Sequence, residues 1–259
     1  MACNIGITGI TGRMGQLLAA EVPAAGAVLA GCIGGRAGSG KPVPAGVPLA
    51  ANLSALAAAS DVVIDFTHAS AAQATAATMA ASGKAWVLGT SGLSAADEAA
   101  VEVAARSIPI VYASNFSSGV NLVLALCERM GAALPAEVYD AEIMEMHHRQ
   151  KVDAPSGTAV GMGRAVAKGR GQKLEDVMVS GRHGHTGARE TGAIGFAALR
   201  GGQVVGEHTL IFASATEHIA LTHRAFDRRA FATGAVRAAL WVLGKPPGLY
   251  SMMDVLGMT

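Results

Sequence analysis

The sequence predicts an α/β protein in which a doubly wound parallel sheet forms one lobe and an α+β region with a mixed or antiparallel sheet forms a second. Short apolar β-rich runs alternate with alanine-rich helical segments up to about residue 117. Strand-rich sequence with short connections dominates afterwards. A chain of 259 residues is long enough to bury a core in each lobe.

The first lobe is predicted from near-continuous apolar strands joined by helices, which are typical of a parallel sheet covered on both faces. The predicted strands are 4–8, 28–33, 61–66, 85–89 and 109–113, and the predicted helices are 12–22, 70–82 and 95–106.

The second lobe is predicted to contain helix 120–132, strand 136–146, helix 156–167 and three further β runs within 193–223. Turns at 201–202 and 214–217 separate these runs. Their short connections predict that they pair with one another in an antiparallel sheet. A final helix, 228–243, ends before a glycine and two prolines.

Composition indicates a small-molecule partner. Twenty basic and nineteen acidic side chains give a formal net charge of +1, so no strong field favours nucleic acid or an anionic membrane. The apolar runs are shorter than the roughly 18 residues of a membrane span. Three scattered cysteines and the lack of a leader pattern at the start lead us to expect a cytoplasmic protein without disulfides.

A glycine-rich loop, GITGRMG, follows the first strand and opens the first helix. Gly9, Gly12 and Gly15 permit a tight turn and close backbone approach, so amide groups at the helix N-terminus would hold a pyrophosphate, as in Rossmann-like lobes. Arg13 adds a positive charge. The alternative is a glycine turn required only for helix–strand packing.

The end of the second strand bears on cofactor choice. An acidic residue there usually accepts bonds from the adenosine ribose, but this chain has Gly34, Gly35 and then Arg36. A 2′-phosphate would meet a guanidinium and no carboxylate, which favours NADPH over NADH. A solvated loop arginine is the alternative. The loops at 65–70, 89–93 and 113–119 end parallel strands and are predicted to share the same crevice.

A second stretch rich in residues suited to catalysis is MEMHHRQKVDAPSGTA. Lys151 offers a proton donor that stays charged, and His147 and His148 offer groups that titrate near neutrality. Neighbouring residues on a strand face opposite ways, so both histidines face one substrate only if the strand has ended there. The spacing does not suit zinc, and we expect no metal. The alternative for either histidine is a satisfied surface residue.

Residues Ser156, Gly157 and Thr158 begin the next helical pattern. The unsatisfied amides of a first helical turn favour an anion such as a carboxylate, with hydroxyl groups as further donors. The alternative is that Ser156 only caps the helix.

Together these motifs resemble the dihydrodipicolinate reductases, now named 4-hydroxy-tetrahydrodipicolinate reductases, over essentially the whole chain. The stretches that carry the resemblance are GITGRMG, DFTHAS, GTSGL, ASNFSSGVN, EMHHRQKVDAPSGTA, GHTGARETGAIGFAALRGGQVVGEHT and FATGAVRAALW. The histidine–lysine element with DAPSGTA is highly specific, whereas the glycine loop alone is not.

The resemblance implies a step of lysine and diaminopimelate synthesis that uses NADPH and/or NADH. Hydride reaches C4 of a small cyclic dicarboxylate, water is lost and tetrahydrodipicolinate forms. It also implies a dinucleotide-binding domain at 1–117 and 228–259, and a substrate-binding and oligomerisation domain at 118–227. The family forms homotetramers, and we assign that interface to 193–223; the alternative is a sheet packed only within its own chain.

Residue by residue, the resemblance makes His147 a proton donor or acceptor, Lys151 a proton donor and His148 a substrate-binding residue. It also assigns the substrate carboxylate to the turn of Gly157 and Thr158, next to Ser156 at the helix start. The cofactor would contact Arg36 and three loops, namely Gly9, Ile10, Thr11, Gly12, Arg13 and Met14; Gly89, Thr90 and Ser91; and Ala113, Ser114, Asn115 and Phe116. The family's GTT is GTS here, which keeps a hydroxyl at Ser91, and many members carry an acid where Gly34 and Gly35 stand.

Two rival functions fit part of this pattern. A nucleotide-sensing regulator would bind the cofactor without turnover, and gives no reason for the histidine–lysine cluster. A dehydrogenase acting on an aldehyde through a cysteine would need a nucleophile near the crevice, but Cys127 lies in an apolar helical pattern. The sequence leaves open whether His183, His185 and Arg189 reach the site of their own or a neighbouring subunit.

Overall fold

The computed structural model describes residues 2–34 and 41–258. The chain divides into two compact units: unit 1 comprises Met1–Ser118 and Arg229–Thr259, and unit 2 comprises Gly119–Arg228. The boundaries predicted from the sequence precede these by one residue. Within the described ranges, no helix is long and apolar enough to cross a membrane.

The helices and strands follow one another along the chain as follows: β1 (Asn4–Thr8), α1 (Arg13–Ala24), β2 (Val28–Ile33), α2 (Leu53–Ala58), β3 (Val62–Asp65), a short 3-10 turn (Ala69–Ala71), α3 (Ala72–Ser82), β4 (Ala85–Leu88), α4 (Ala95–Ala105), β5 (Pro109–Tyr112), α5 (Ser118–Ala133), β6 (Asp140–His147), α6 (Gly157–Gly169), α7 (Leu174–Val177), β7 (Met178–Ser180), β8 (Ile194–Arg200), β9 (Gly206–Ala213), β10 (His218–Ala225), α8 (Arg229–Val242), β11 (Gly248–Tyr250) and α9 (Met252–Leu256).

Unit 1 is built on a parallel sheet in the order β11-β5-β4-β3-β1-β2. Its central strands are buried throughout because their sequences are apolar on both faces. One apolar cluster joins the sheet to α1, α8 and α9, and another joins it to α2, α3 and α4. The doubly wound α/β prediction is therefore confirmed.

Helix α8 returns the chain from unit 2 to unit 1, where it lies against β3, β4 and β5. Its alanines allow a close approach, and at Gly234 a Cβ atom would collide with the carbonyl oxygen of Phe116. The helix ends before Gly244, whose φ of +74° is a left-handed conformation that favours glycine.

Unit 2 contains a mixed sheet in the order β10-β9-β6-β8-β7. Strands β9 and β10 form the expected antiparallel hairpin. The expectation that β8 pairs with β9 is wrong, because β6 lies between them, parallel to β8 and antiparallel to β9.

The connection from β8 to β9 explains this arrangement, because it crosses the end of β6. The amide of Gly201 donates to the carbonyl of His147 at 2.9 Å, and the amide of His148 donates to the carbonyl of Val204 at 2.8 Å. The predicted glycine turn is present, but it carries the chain over one strand and into the next position.

Helices α5 and α6 cover one face of this sheet. Apolar side chains of both helices form a core with Ile143, Phe196, Leu210 and Phe212. Residues alternate along β6, so every second side chain joins this core and the others face outward. The outer face leaves Met144 43% exposed, and on β8 it leaves Leu199 46% exposed.

Candidate active site

The end of β6 carries Glu145 and His147 on the face of the sheet that the helices cover. Glu145 and His147 lie two and four residues after the core residue Ile143, so all three side chains point to the same buried face of the strand. Glu145 is 1% exposed, although it is a carboxylate. A buried ionisable pair at a strand end is typical of a functional site rather than of a packing core.

Glu145 accepts hydrogen bonds from three neighbours. Arg200 donates to both carboxylate oxygens at 2.8 Å, the amide of Ser156 approaches Oε1 at 3.1 Å, and Nδ1 of His147 lies 2.6 Å from Oε2. Burial would raise the pKa of Glu145, but the bonds from Arg200, His147 and Ser156 outweigh it and lower that pKa below its ordinary value.

Burial and neighbouring charged side chains together set the pKa of His147. Burial lowers its pKa, the charge and hydrogen bond of Glu145 oppose this, and the charges of Lys151 and Arg200 add to the lowering. The net direction is downward. The neutral imidazole is therefore favoured near neutral pH.

Ser156 links this cluster to β9. Its hydroxyl accepts from the amide of Ala159 at 3.2 Å, so Ser156 does cap α6. The same hydroxyl lies 3.0 Å from Nε2 of His208. Burial, followed by the charge of His147, lowers the pKa of His208 to about 4.

Lys151 lies on the loop between β6 and α6. Its ammonium group contacts the Asp153 carboxylate at 2.8 Å, and Arg200 donates to the carbonyl of Asp153 at 2.6 Å. The charge of Lys151 acts on His147. The structure thus brings together Lys151, His147 and Ser156, which the sequence singled out.

His148, Gly157 and Thr158 complete the predicted substrate residues. Since β6 ends at His147, His148 is outside the strand alternation, and its buried Nδ1 has no hydrogen-bond partner in the part of the chain that the structure describes. Gly157 starts α6, and a Cβ atom there would meet nothing within 4 Å. Open space therefore lies beside the first turn of α6.

In unit 1 the predicted cofactor loops meet around Phe66, which follows β3. Its ring packs edge-on against Phe116 with centroids 5.6 Å apart. A Cβ atom on Gly89 would strike the same ring, and one on Gly9 would lie 2.9 Å from the Phe66 carbonyl oxygen. Because neighbouring parallel strands end at one edge, the loops after β1, β3, β4 and β5 are adjacent.

The first of these loops fits a dinucleotide phosphate. Gly9 has a φ of +75°, and Gly12 precedes α1 without supplying a side-chain cap. A Cβ atom on Gly15 would collide with the Gly9 carbonyl, so the packing role of the glycines is real as well. In the loop after β4, the buried hydroxyl of Thr90 has no partner among the described residues. Uncapped amides and an orphaned hydroxyl are groups that a bound cofactor would satisfy.

The remaining predicted cofactor residues lie on the same loops or directly after them: Ile10 and Thr11 after β1, Arg13 and Met14 in the first turn of α1, Ser91 after β4, and Ala113, Ser114 and Asn115 after β5. The prediction for Arg36 and its neighbour Gly35 falls outside the described residues.

The comparisons with known proteins agree along the whole chain. Residues 3–116 match the family model described as dihydrodipicolinate reductase, N-terminus, and residues 119–256 match the one described as its C-terminus. The chain belongs to the dihydrodipicolinate reductase family. It is an NAD(P)H-dependent oxidoreductase that reduces 4-hydroxy-tetrahydrodipicolinate to tetrahydrodipicolinate, with loss of water, in lysine and diaminopimelate synthesis.

Relatives extend over nearly the full length of the reductase. The 4-hydroxy-tetrahydrodipicolinate reductase of Granulibacter bethesdensis is 68% identical over 98% of this chain and 97% of its own. That of Acidiphilium cryptum is 61% identical over 98% of both chains. A solved dihydrodipicolinate reductase from Paenisporosarcina sp. TG-14, with dipicolinate bound, has the same fold, with a TM-score of 0.80, 24% identity and coverage of 98% and 99%.

Membership of a reductase family excludes the regulator without turnover. The cysteine mechanism also fails on chemistry, since burial raises the pKa of Cys127 to about 12 and disfavours the thiolate.

Sequence reasoning did not select Glu145, Arg200 or His208. The spacing of Glu145 and His147 at i and i+2 was a usable signal, because it places both on one strand face. Nothing local marks the other two, which reach the site through the pairing of β8 and β9 with β6.

The loop that precedes β8 turns away from this cluster. Arg189 contacts Asp140 and Glu142, at the opposite end of β6 from His147, and Arg182 also pairs with Glu142. Within its own chain, Arg189 therefore anchors the loop to the start of β6.

We expect His208 to contribute to the pH dependence of stability. The unfolded histidine titrates near 6.5 and the folded one near 4, so the unfolded state binds more protons between these values. The free energy of unfolding should fall as pH drops from 7 to 4, by about 3 kcal/mol from this residue alone. Urea unfolding across this range should show a shallower slope for His208→Gln.

The matched control is His218→Gln, at an exposed position on β10. Equal slopes for His208→Gln and the wild type would contradict the assignment of the pH dependence to His208.

Proposed function

We propose that His147 and Lys151 handle the proton of the reduction and that the first turn of α6 binds a carboxylate of the cyclic dicarboxylate. The observation that carries this proposal is the convergence of a buried histidine, a nearby ammonium group and a helix N-terminus within unit 2. Its support comes from the chemistry of these groups and from the solved relative, which binds dipicolinate.

The carboxylate site would use backbone amides. The hydroxyl of Ser156 caps only Ala159, so the amides of Gly157 and Thr158 remain for a ligand in the first turn. The positive end of the helix dipole favours an anion there. The Thr158 hydroxyl and His148 would supply further hydrogen bonds.

The reaction consumes one hydride and one proton and releases water. The loops after β1, β4 and β5 in unit 1 would hold the nicotinamide cofactor, which would supply the hydride when bound in its reduced form. Lys151 donates the proton, and His147 stores or returns it, each contributing roughly 10²- to 10⁴-fold by general acid–base catalysis. The pair with Asp153 fixes the ammonium group until the substrate arrives.

Replacing Lys151 by Ala should lower kcat by roughly 10²-fold or more, because the loss falls mainly on proton transfer. The change in KM should be smaller. Steady-state rates with freshly prepared substrate give both quantities.

Lys168→Ala is the matched control for Lys151→Ala, because Lys168 pairs with a carboxylate, Glu128, on the surface of the same unit. Turnover in Lys151→Ala equal to that of this control would remove Lys151 from the mechanism.

We propose that NADPH is accepted at least as well as NADH, because Gly34 lies at the end of β2, where an acid would repel a 2′-phosphate. Arg36 would pair with that phosphate. The cytoplasm, where Cys3, Cys32 and Cys127 would stay as free thiols, is the compartment that we propose.

Arg36→Ala should raise the KM for NADPH by roughly 10-fold, since a charge-assisted bond to phosphate is lost. The KM for NADH in the same variant is the internal control and should change little. Oxidation of both cofactors is followed in parallel by absorbance. An equal change for both cofactors would show that Arg36 does not read the 2′-phosphate.

We further propose that the outer face of the unit 2 sheet pairs chains into a homotetramer. Its support is the exposure of Met144 and Leu199 on that face, since large exposed apolar side chains in a patch are typical of an interface.

The wild type should have the mass of a tetramer by light scattering, and the double variant Met144→Asp with Leu199→Asp should have a lower mass, because charges would be buried at the contact. Val103→Asp, at an exposed apolar residue of α4, is the control and should retain the wild-type mass. A monomeric wild type would contradict the proposal.

A further inference from the structure

The carboxylate of Glu145 is the centre of the cluster at the end of β6. It touches three groups with separate roles: the imidazole of His147, the amide at the start of the carboxylate-binding turn, and the guanidinium of Arg200. It makes no contact with open solvent, since its side chain is 1% exposed.

We infer that Glu145 is a positioning residue, which holds the proton of His147 on Nδ1 so that Nε2 is turned to the substrate, with Arg200 fixing the carboxylate. The inference rests on the proposed role of His147 in proton transfer.

The tautomer follows from the chemistry of the two groups. An ionised carboxylate only accepts hydrogen bonds, so a separation of 2.6 Å between Nδ1 and Oε2 requires the hydrogen on Nδ1. A neutral imidazole has one N–H, which leaves a lone pair on Nε2. No other described residue hydrogen-bonds to Nε2.

Nε2 of His147 lies close to the backbone of β9, at a position where only a glycine fits without a tight contact. Gly206 of β9 lies there, and a Cβ atom at that position would come within 3.0 Å of Nε2. The ring of His208 packs edge-on against His147, with centroids 5.0 Å apart. The ring is therefore clamped by a carboxylate on one nitrogen and flanked by a residue without a side chain at the other.

Arg200 ties this arrangement to the lysine loop. Besides both oxygens of Glu145, it binds the carbonyl of Asp153, whose carboxylate holds Lys151. The Glu145–Arg200 ion pair therefore fixes the relative positions of His147, the loop that carries Lys151 and the amide of Ser156. A bidentate pair has the geometric specificity that this function needs.

Glu145→Gln tests the inference, because the amide keeps the size of the side chain but is able to donate to Nδ1. The groups that act on His147 are then Lys151 from the loop, Arg200 from β8 and His208 from β9. With the carboxylate gone, we expect the proton to move to Nε2 and kcat to fall roughly 10²-fold with little change in KM.

Three measurements are made: steady-state kinetics, the pH profile of kcat/KM, and the nitrogen chemical shifts of the His147 imidazole in histidine-labelled protein. The shifts are assigned by comparison with His147→Gln. The limb of the profile that His147 governs should move to lower pH in Glu145→Gln, because the carboxylate raises the pKa of that histidine. Glu145→Asp should restore the Nδ1 proton and part of the turnover.

Glu142→Gln is the matched control. Glu142 lies on the same strand and also binds an arginine through both oxygens, but it faces the other side of the sheet. It should leave the tautomer and the pH profile as in the wild type.

A wild-type His147 protonated on Nε2 would overturn the inference, and this measurement needs no variant to fold. Glu145→Gln with the wild-type tautomer and profile would overturn it as well. Unchanged turnover in His147→Gln would refute the proposed role of the histidine instead, so the two failures are distinguishable.

Discussion

The ion pair between Glu145 and Arg200 is the constraint on which the geometry of the second unit depends. A carboxylate that is 1% exposed loses its hydration, and the loss is offset only because its oxygens accept bonds from the guanidinium, from His147 and from the amide of Ser156. Removing one partner of a buried pair typically costs about 3–5 kcal/mol. The same bonds that make the burial tolerable also set the positions of the proposed acid–base groups.

The mixed pairing of the second sheet is what delivers these partners. Parallel pairing with β8 places Arg200 beside His147 in the register, and antiparallel pairing with β9 places His208 beside Glu145. A strand with two antiparallel neighbours would not require the crossover through α6, whose first turn is proposed to bind the substrate carboxylate. The pairing of β6 with β8 and β9 thus determines which side chains reach the proposed acid–base groups.

Local sequence was sufficient where a signal lay within a few residues. The apolar runs located the strands of the parallel sheet to within a residue or two, and the DAPSGTA stretch placed the start of α6 at Ser156, one residue before its observed start at Gly157. It failed where the answer depended on distant pairing: β8 was placed beside β9, and Arg200 and His208 were not selected. The short edge strands β7 and β11 were also missed, because three residues carry no periodicity.

Because unit 1 is made of two separate segments of the chain, the order of synthesis determines which unit has all of its strands and helices first. Unit 2 is one uninterrupted stretch, 119–228, whereas the parallel sheet of unit 1 lacks α8 and β11 until translation has passed Tyr250. The later-encoded unit is therefore complete on the ribosome before the earlier one. Until then, the nascent sheet lacks the helix whose Ala235 and Ala239 join Ile64 and Val87 in one apolar cluster, and exposed apolar surface of this kind favours aggregation.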